Sequence, residues 1–429
     1  MLSKPLVNKV LEIPIIKNTK NIVFGLIITA NTYGSIQNSK AETINDKTVA
    51  TLIISLDSKN IFENLKNNNT FKELNLFEQE KSLNILNKLL DIDQETAKNF
   101  LKLFSNKNVS SFIKINEPLI LNKDNNNRSL LDNLDILSKS NIFLGISKHK
   151  NKILKDTINL ITNPDQYDQG AYGICSQVTK CFYLITRKPS EFVNMINHLT
   201  VKGKEYKLYH KPTKLHFSLK YNKSTEYSPE VNSALLITAS SMLEFANGIV
   251  DKYNVKIDQN TRLGFRKDFD YNPTLDHILL ETITDSEYLK LDIKFLNRIK
   301  NKNYQNLISR LIDYSSKNNE HIQIGIHISS YNDDTNHQMI LIGSTLNNHF
   351  TILNSWGDDP RGNATKFKDN GLGNGSVDIS ITNFRQDVIE IAIPKSLINN
   401  KDHFNPLLNF YYKFHPNKLN YNYKARFNN

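Results

Sequence analysis

Apolar residues recur every three to four positions through the first third of the chain, and polar residues fill the gaps. Leu76, Leu83, Leu86 and Leu90 share one helical face. Ala97, Phe100, Leu101 and Phe104 repeat the pattern after Asp93. Leu130, Leu131, Leu134 and Leu137 form a third run, with Ser129 placed as its N-cap. KDNNNR at 123–128 is a polar break between runs. Residues 42–160 therefore predict a mainly helical N-terminal region.

The texture changes near residue 161. NPDQYDQGAYG (163–173) reads as a loop, and Cys175 ends it. Val178, Phe182 and Ile185 then fall at i, i+4 and i+7, predicting a helix with one buried face, stopped by Pro189. A second helix is expected from Ser190. A third is expected with Ser228 as N-cap and Pro229 at N1, running through Ala234, Leu235, Ile237, Leu243 and Phe245 to Gly248. A fourth carries Leu307, Ile308, Leu311 and Ile312 over 303–316. The period then becomes two. IQIGIHIS (322–329), QMILIGS (338–344), HFTILNS (349–355), VDISI (377–381) and VIEIAI (388–393) read as strands, with Asn347 and Asn348 as a hairpin turn. Helices followed by antiparallel strands predict an α+β fold with two lobes.

Composition narrows the chemistry. The 429 residues imply two or three domains, and the formal charge of +11 is spread without a polybasic block. Two cysteines, Cys175 and Cys181, exclude a disulfide framework. No CxxC pair, HExxH or P-loop sequence occurs, so no metal and no cofactor is expected. No specific nucleic-acid module is recognisable. IVFGLIITA (22–30), after Lys17 and Lys20 and before a small-residue SKA (39–41), has the parts of a leader, so residues 1–41 are read as a signal-peptide candidate against the alternative of an internal strand. Membrane association is expected only through such a leader. The aromatic, basic residues 399–429 read as a docked extension or tail.

A thiol needs help to become a nucleophile, because free cysteine titrates near pH 8.5. A helix N-terminus supplies one kind of help and a neighbouring imidazole another. Cys175 has the first. His337 begins the strand HQMILIG and is the candidate base. Asn354, 17 positions later on the next strand, is the candidate to orient its second ring nitrogen. Trp356, the single tryptophan, can shield that bond from water.

QGAYGIC (169–175), a strand-start histidine and NSWG (354–357), in that order, resemble the papain superfamily of cysteine peptidases, nearer its papain branch than its calpain branch. The resemblance covers residues 160–395. It implies a papain-like two-lobe fold over 161–398, with a helical lobe and an antiparallel sheet or barrel lobe. It also implies a Cys175–His337–Asn354 triad, an oxyanion donor on Gln169, and supporting roles for Gly173, Ser355 and Trp356. The expected activity is hydrolysis of peptide bonds in a protein or peptide substrate through an acyl-enzyme. A deamidase, transglutaminase or acyltransferase could use the same thiol, and an inactive binding module is the third reading. Ser176 stands where that family usually has an aromatic residue, the second Trp-Gly element after NSWG is missing, and the bracing cysteines are absent. The departures suggest a distant member, of the secreted or bacterial effector type, with residues 42–160 as prosegment or accessory domain.

Overall fold

Short polar side chains cap several of the helices near the start of the chain. In the computed structural model the described residues are 46–105, 117–142, 149–164, 174–201, 205–221, 232–246, 273–292, 296, 297, 299, 301–318, 322–328, 335–345, 349–354, 367–369 and 376–396. The leader candidate, the tail, Ser228, Pro229, Gly248 and the Asn347–Asn348 turn lie outside them. Contacts divide the chain into two units, Met1–Lys66 and Asn67–Asn429. Helix α1 (Asp46–Asn67) is the described part of the first.

The second unit begins with α2 (Asn69–Glu73), α3 (Leu76–Ile92) and α4 (Gln94–Lys102). Asn68, Asn75 and Asp93 cap them, each accepting a first-turn backbone N–H. The face α3 buries is centred on Ile85, Leu86 and Leu89, whereas Leu76 is 84% exposed. The expected stripe is therefore rotated about the helix. Helix α5 (Leu130–Lys139) starts at Ser129 as expected, in a reciprocal box with Asp132. Helix α6 (Lys150–Thr162) was not marked by the periodicity.

The expected boundary at 160/161 falls inside one compact unit. The cause is visible beside α8 (Pro189–Thr200), which packs on α5. Asn133 Nδ2 donates to Ser190 O at 3.2 Å and Oγ at 3.0 Å, Arg128 donates to Asn194 Oδ1 at 2.7 Å, and Asn125 N donates to Glu191 Oε2 at 2.7 Å. The polar break at 123–128 is thus stitched to α8.

Helix α7 (Cys175–Arg187) differs from its expected amphipathic form. Every residue from Ser176 to Thr186 is buried. It is enclosed by α8, α9 (Ser233–Ala246), α10 (Pro273–Thr284) and the strand β5 (Thr335–Thr345). Helix α9 begins at Ser233, later than the sequence suggested, because Asn232 Oδ1 accepts from Leu235 N. The hairpin β1 (Tyr206–His210) and β2 (Leu215–Leu219), helix α10 and strand β3 (Tyr288–Asp292) were not anticipated.

The remaining elements are α11 (Asn301–Asn318), β4 (Ile322–Ile328), β5 (Thr335–Thr345), β6 (His349–Asn354), β7 (Phe367–Asp369), β8 (Ser376–Ser380), α12 (Ile381–Asp387) and β9 (Val388–Pro394). All five expected strands form. The order is β3-β9-β4-β5-β6-β8-β7, with every pairing antiparallel. The sheet is open among the described residues; it does not close into a barrel. The fold is α+β.

Register gives the sheet two unlike faces. Leu291, Ile391, Ile324 and Met339 are consecutive cross-strand partners and join Leu307, Ile308, Leu311 and Ile312 of α11 in one core. On the other face Lys290, Gln323, Gln338 and Glu390 form a polar lane. That lane faces α7.

Candidate functional site

Cys175 is the first residue of α7. It is partly exposed, unlike the eleven residues that follow it. Ile174 occupies the N-cap position and no side chain caps this helix. The first-turn N–H groups and the helix dipole thus stay directed at whatever occupies the start of α7. The backbone N–H groups of Ser176 and Gln338 favour the thiolate form of Cys175. Gln338 is the residue after His337, so the helix start and the β5 strand meet at the thiol.

His337 and Asn354 come together. Asn354 is the cross-strand partner of Met339, and His337 lies two residues before Met339, on the same face and diagonal to Asn354. The gap is closed by a bond between His337 Nε2 and Asn354 Oδ1 at 2.8 Å. An amide oxygen only accepts, so Nε2 carries the proton and Nδ1 is the basic nitrogen. Both side chains are buried, at 1% and 4% exposure.

Burial sets the resting charges. It pushes the Cys175 thiol up, with the two backbone N–H groups and Lys180 pulling against it and Asp276 adding to it. Burial also holds His337 down at about 4, although the Asn354 bond favours the charged ring. Near neutral pH these effects favour a neutral thiol at Cys175 and a neutral imidazole at His337. Cys181, two turns along the same helix, is pushed by burial to about 12 and bonds Thr238 Oγ1 at 3.3 Å.

Beneath Cys175 lies a buried polar cluster that sequence reasoning missed. Lys180 Nζ donates to Asp276 Oδ1 at 2.8 Å, to Ser176 Oγ at 2.9 Å and to Ser176 O at 3.0 Å. Ser176 Oγ donates to Asp276 Oδ2 at 2.9 Å, and Gln177 Nε2 donates to Asp276 Oδ1 at 3.0 Å. Lys180 and Asp276 are 0% and 3% exposed at their side chains. Burial pulls the Lys180 ammonium down, and Asp276 pulls it back up. The hydroxyl of Ser176 is committed to Asp276, so it is a structural hub and not a second nucleophile. Ser176, Gln177 and Lys180, polar residues in the first half of a buried helix, were the available signal. Their partner on α10 carried no marker in the sequence.

Gln169, Gly173, Ser355 and Trp356 lie outside the described residues. Among those described, no group of three His, Cys, Asp or Glu side chains is placed to hold a metal ion, and no helix is long and apolar enough to cross a membrane. A cavity of about 930 Å³ is lined by Lys188, Glu191, Tyr206, Lys207, Lys211 and Asp285. Lys188 follows the last residue of α7, so this cavity opens about 20 Å from the thiol, at the opposite end of the helix. It is not the cysteine site. No protein-family model matches the chain, and no curated protein matches its sequence.

Proposed function

We propose that the chain is a cysteine peptidase of papain-like design, with Cys175 as nucleophile, His337 as general base and acid, and Asn354 as the group that orients the imidazole. The observation that carries this reading is the buried His337 Nε2–Asn354 Oδ1 bond at 2.8 Å, on the strand whose next N–H meets the Cys175 sulfur. In this reading α7–α10 and the seven-stranded sheet are the two lobes of the papain-like fold.

The chemistry follows from the resting charges. As the Cys175 sulfur attacks a peptide carbonyl carbon, its proton passes to His337 Nδ1. The N–H of Cys175 and the amide of Gln169 would receive the oxyanion, each such donor being worth about 3–4 kcal/mol. Collapse breaks the C–N bond, and the leaving amine takes the proton from His337. Water then gives a proton to His337 and attacks the thioester, releasing the acid and restoring the thiol. A protein or peptide is the substrate class.

The test is incubation of the full chain, and of Cys175→Ala, with a diverse peptide mixture, followed by mass spectrometry of peptides and protein. Paired fragments formed only by the wild-type chain support the reading. A mass gain without cleavage replaces it with deamidation or acyl transfer. Identical products from both chains overturn it.

A further inference from the structure

The backbone N–H groups of Ser176 on α7 and of Gln338 on β5 both favour the thiolate of Cys175. The same two residues are joined through their side chains. Gln323 Nε2, on the neighbouring strand β4, donates to Ser176 Oγ at 3.3 Å and to Gln338 Oε1 at 3.0 Å. We infer that Gln323 and Ser176 are positioning residues forming a clamp, Ser176–Gln323–Gln338, that holds both N–H donors on the thiolate of Cys175. The inference rests on Cys175 being the nucleophile.

The donor directions leave the clamp one arrangement. A carboxylate closes each end, and a carboxylate only accepts. On the sheet side Gln338 Nε2 donates to Glu390 Oε1 at 2.9 Å, which turns Gln338 Oε1 toward Gln323. On the helix side Ser176 donates to Asp276, which leaves its oxygen to accept from Gln323 and Lys180. Gln323 must then donate in both directions. Glycine at 325 is part of the same device. Gly325 is the cross-strand partner of both Gln338 and Glu390, and a Cβ there would lie 2.7 Å from Glu390 Cγ and 2.9 Å from Gln338 Nε2. Any larger residue would part the two side chains that meet across it.

A clamp of this kind is built to hold a helix and a strand in register at the thiol. It also accounts for Ser176. A tryptophan there could not accept from Gln323, and a phenylalanine could neither accept from Gln323 nor donate to Asp276.

The experiment measures the rate of Cys175 alkylation by iodoacetamide against pH in the full chain, with site assignment by peptide mass mapping. The chains compared are wild type, Gln323→Met, Ser176→Ala, Ser176→Thr and, as controls, Cys175→Ala and His337→Ala. Gln323→Met keeps the shape and removes both donors, so the clamp is tested even where Ser176→Ala fails to fold. The expected result is a midpoint moved to higher pH and an about fivefold to tenfold slower reaction at neutral pH in Gln323→Met and Ser176→Ala, as for loosening a hydrogen bond to a charged acceptor. Ser176→Thr restores the wild-type profile. A clamp with a merely structural role would lower the melting temperature and leave the midpoint unmoved. Folded Gln323→Met with the wild-type midpoint overturns the inference. Failure of the nucleophile assignment reads differently: peptide turnover survives Cys175→Ala whatever the clamp variants do.

Discussion

Helices α5 and α7 begin in opposite ways. At α5 the Ser129 oxygen accepts from Asp132 N at 3.1 Å, and the Asp132 carboxylate accepts from Ser129 N at 3.2 Å. At α7 no side chain caps the start, and Cys175 occupies the first turn beneath Ile174. Both helices face the same need, since the first N–H groups of a helix have no partner within it. The capped start spends those groups on stability. The uncapped start leaves them to favour a negative sulfur, and its stability comes from elsewhere: the Lys180–Asp276 pair, whose Lys180 Nζ donates to the Ser176 carbonyl. A helix start can thus be closed by a side chain or left facing one, here a thiol.

The comparison breaks first at the sulfur. Cys175→Ala should abolish peptide turnover and all alkylation at that site while circular dichroism stays unchanged; turnover persisting in the folded variant would make the uncapped start incidental. His337→Ala should follow, lowering peptide turnover by about 10²–10⁴-fold, as measured by initial rates at saturating peptide. The support beneath α7 comes next. Asp276→Asn leaves Lys180 buried with a weakened partner and should cost about 3–5 kcal/mol, read from denaturant midpoints. A loss below about 1 kcal/mol would show that the pair does not hold the helix start.

Acid should separate the two starts further. The folded His337 value of about 4 lies below the ordinary 6.5, so between these values the unfolded chain takes the proton first. The contribution is complete above pH 6.5, and roughly 3 kcal/mol is lost as pH falls to 4. Wild type should therefore lose more stability than His337→Gln over that window, measured by urea unfolding at several pH values. Ser129→Ala is the smallest expected change, about 1 kcal/mol, with no effect on Cys175 alkylation.

Local signals were read where local physics acts. Ser129, Asp93, the five strands and the turn of pattern near residue 320 all follow from caps and from a period of two. Cys175, His337 and Asn354 could be singled out because a thiol, an imidazole and an amide in that order carry chemistry, and the structure joins the last two directly. The misreadings share one cause. Helix α7 was expected to bury one face, and α3 was expected to bury Leu76. Both errors concern what surrounds a helix, which its own sequence does not contain. The polar residues of α7 drew no attention because Asp276 lies 96 positions from Lys180, on a helix without an amphipathic signature.

The sequence by itself determined the capped helices α3 to α5, the five strands after residue 320, the α+β class and the candidate residue types, because helix caps, strand alternation and side-chain chemistry act over a few residues. Only the tertiary structure decided three things. It placed Asn354 diagonal to His337 through strand register, and it brought the Gln338 N–H to the sulfur at the start of α7. It also buried Lys180, Asp276, Ser176 and Gln323 as a connected set. Burial is what gives these groups their consequence. The same imidazole in water would titrate near 6.5, and the same Lys–Asp pair would contribute about 1 kcal/mol or less.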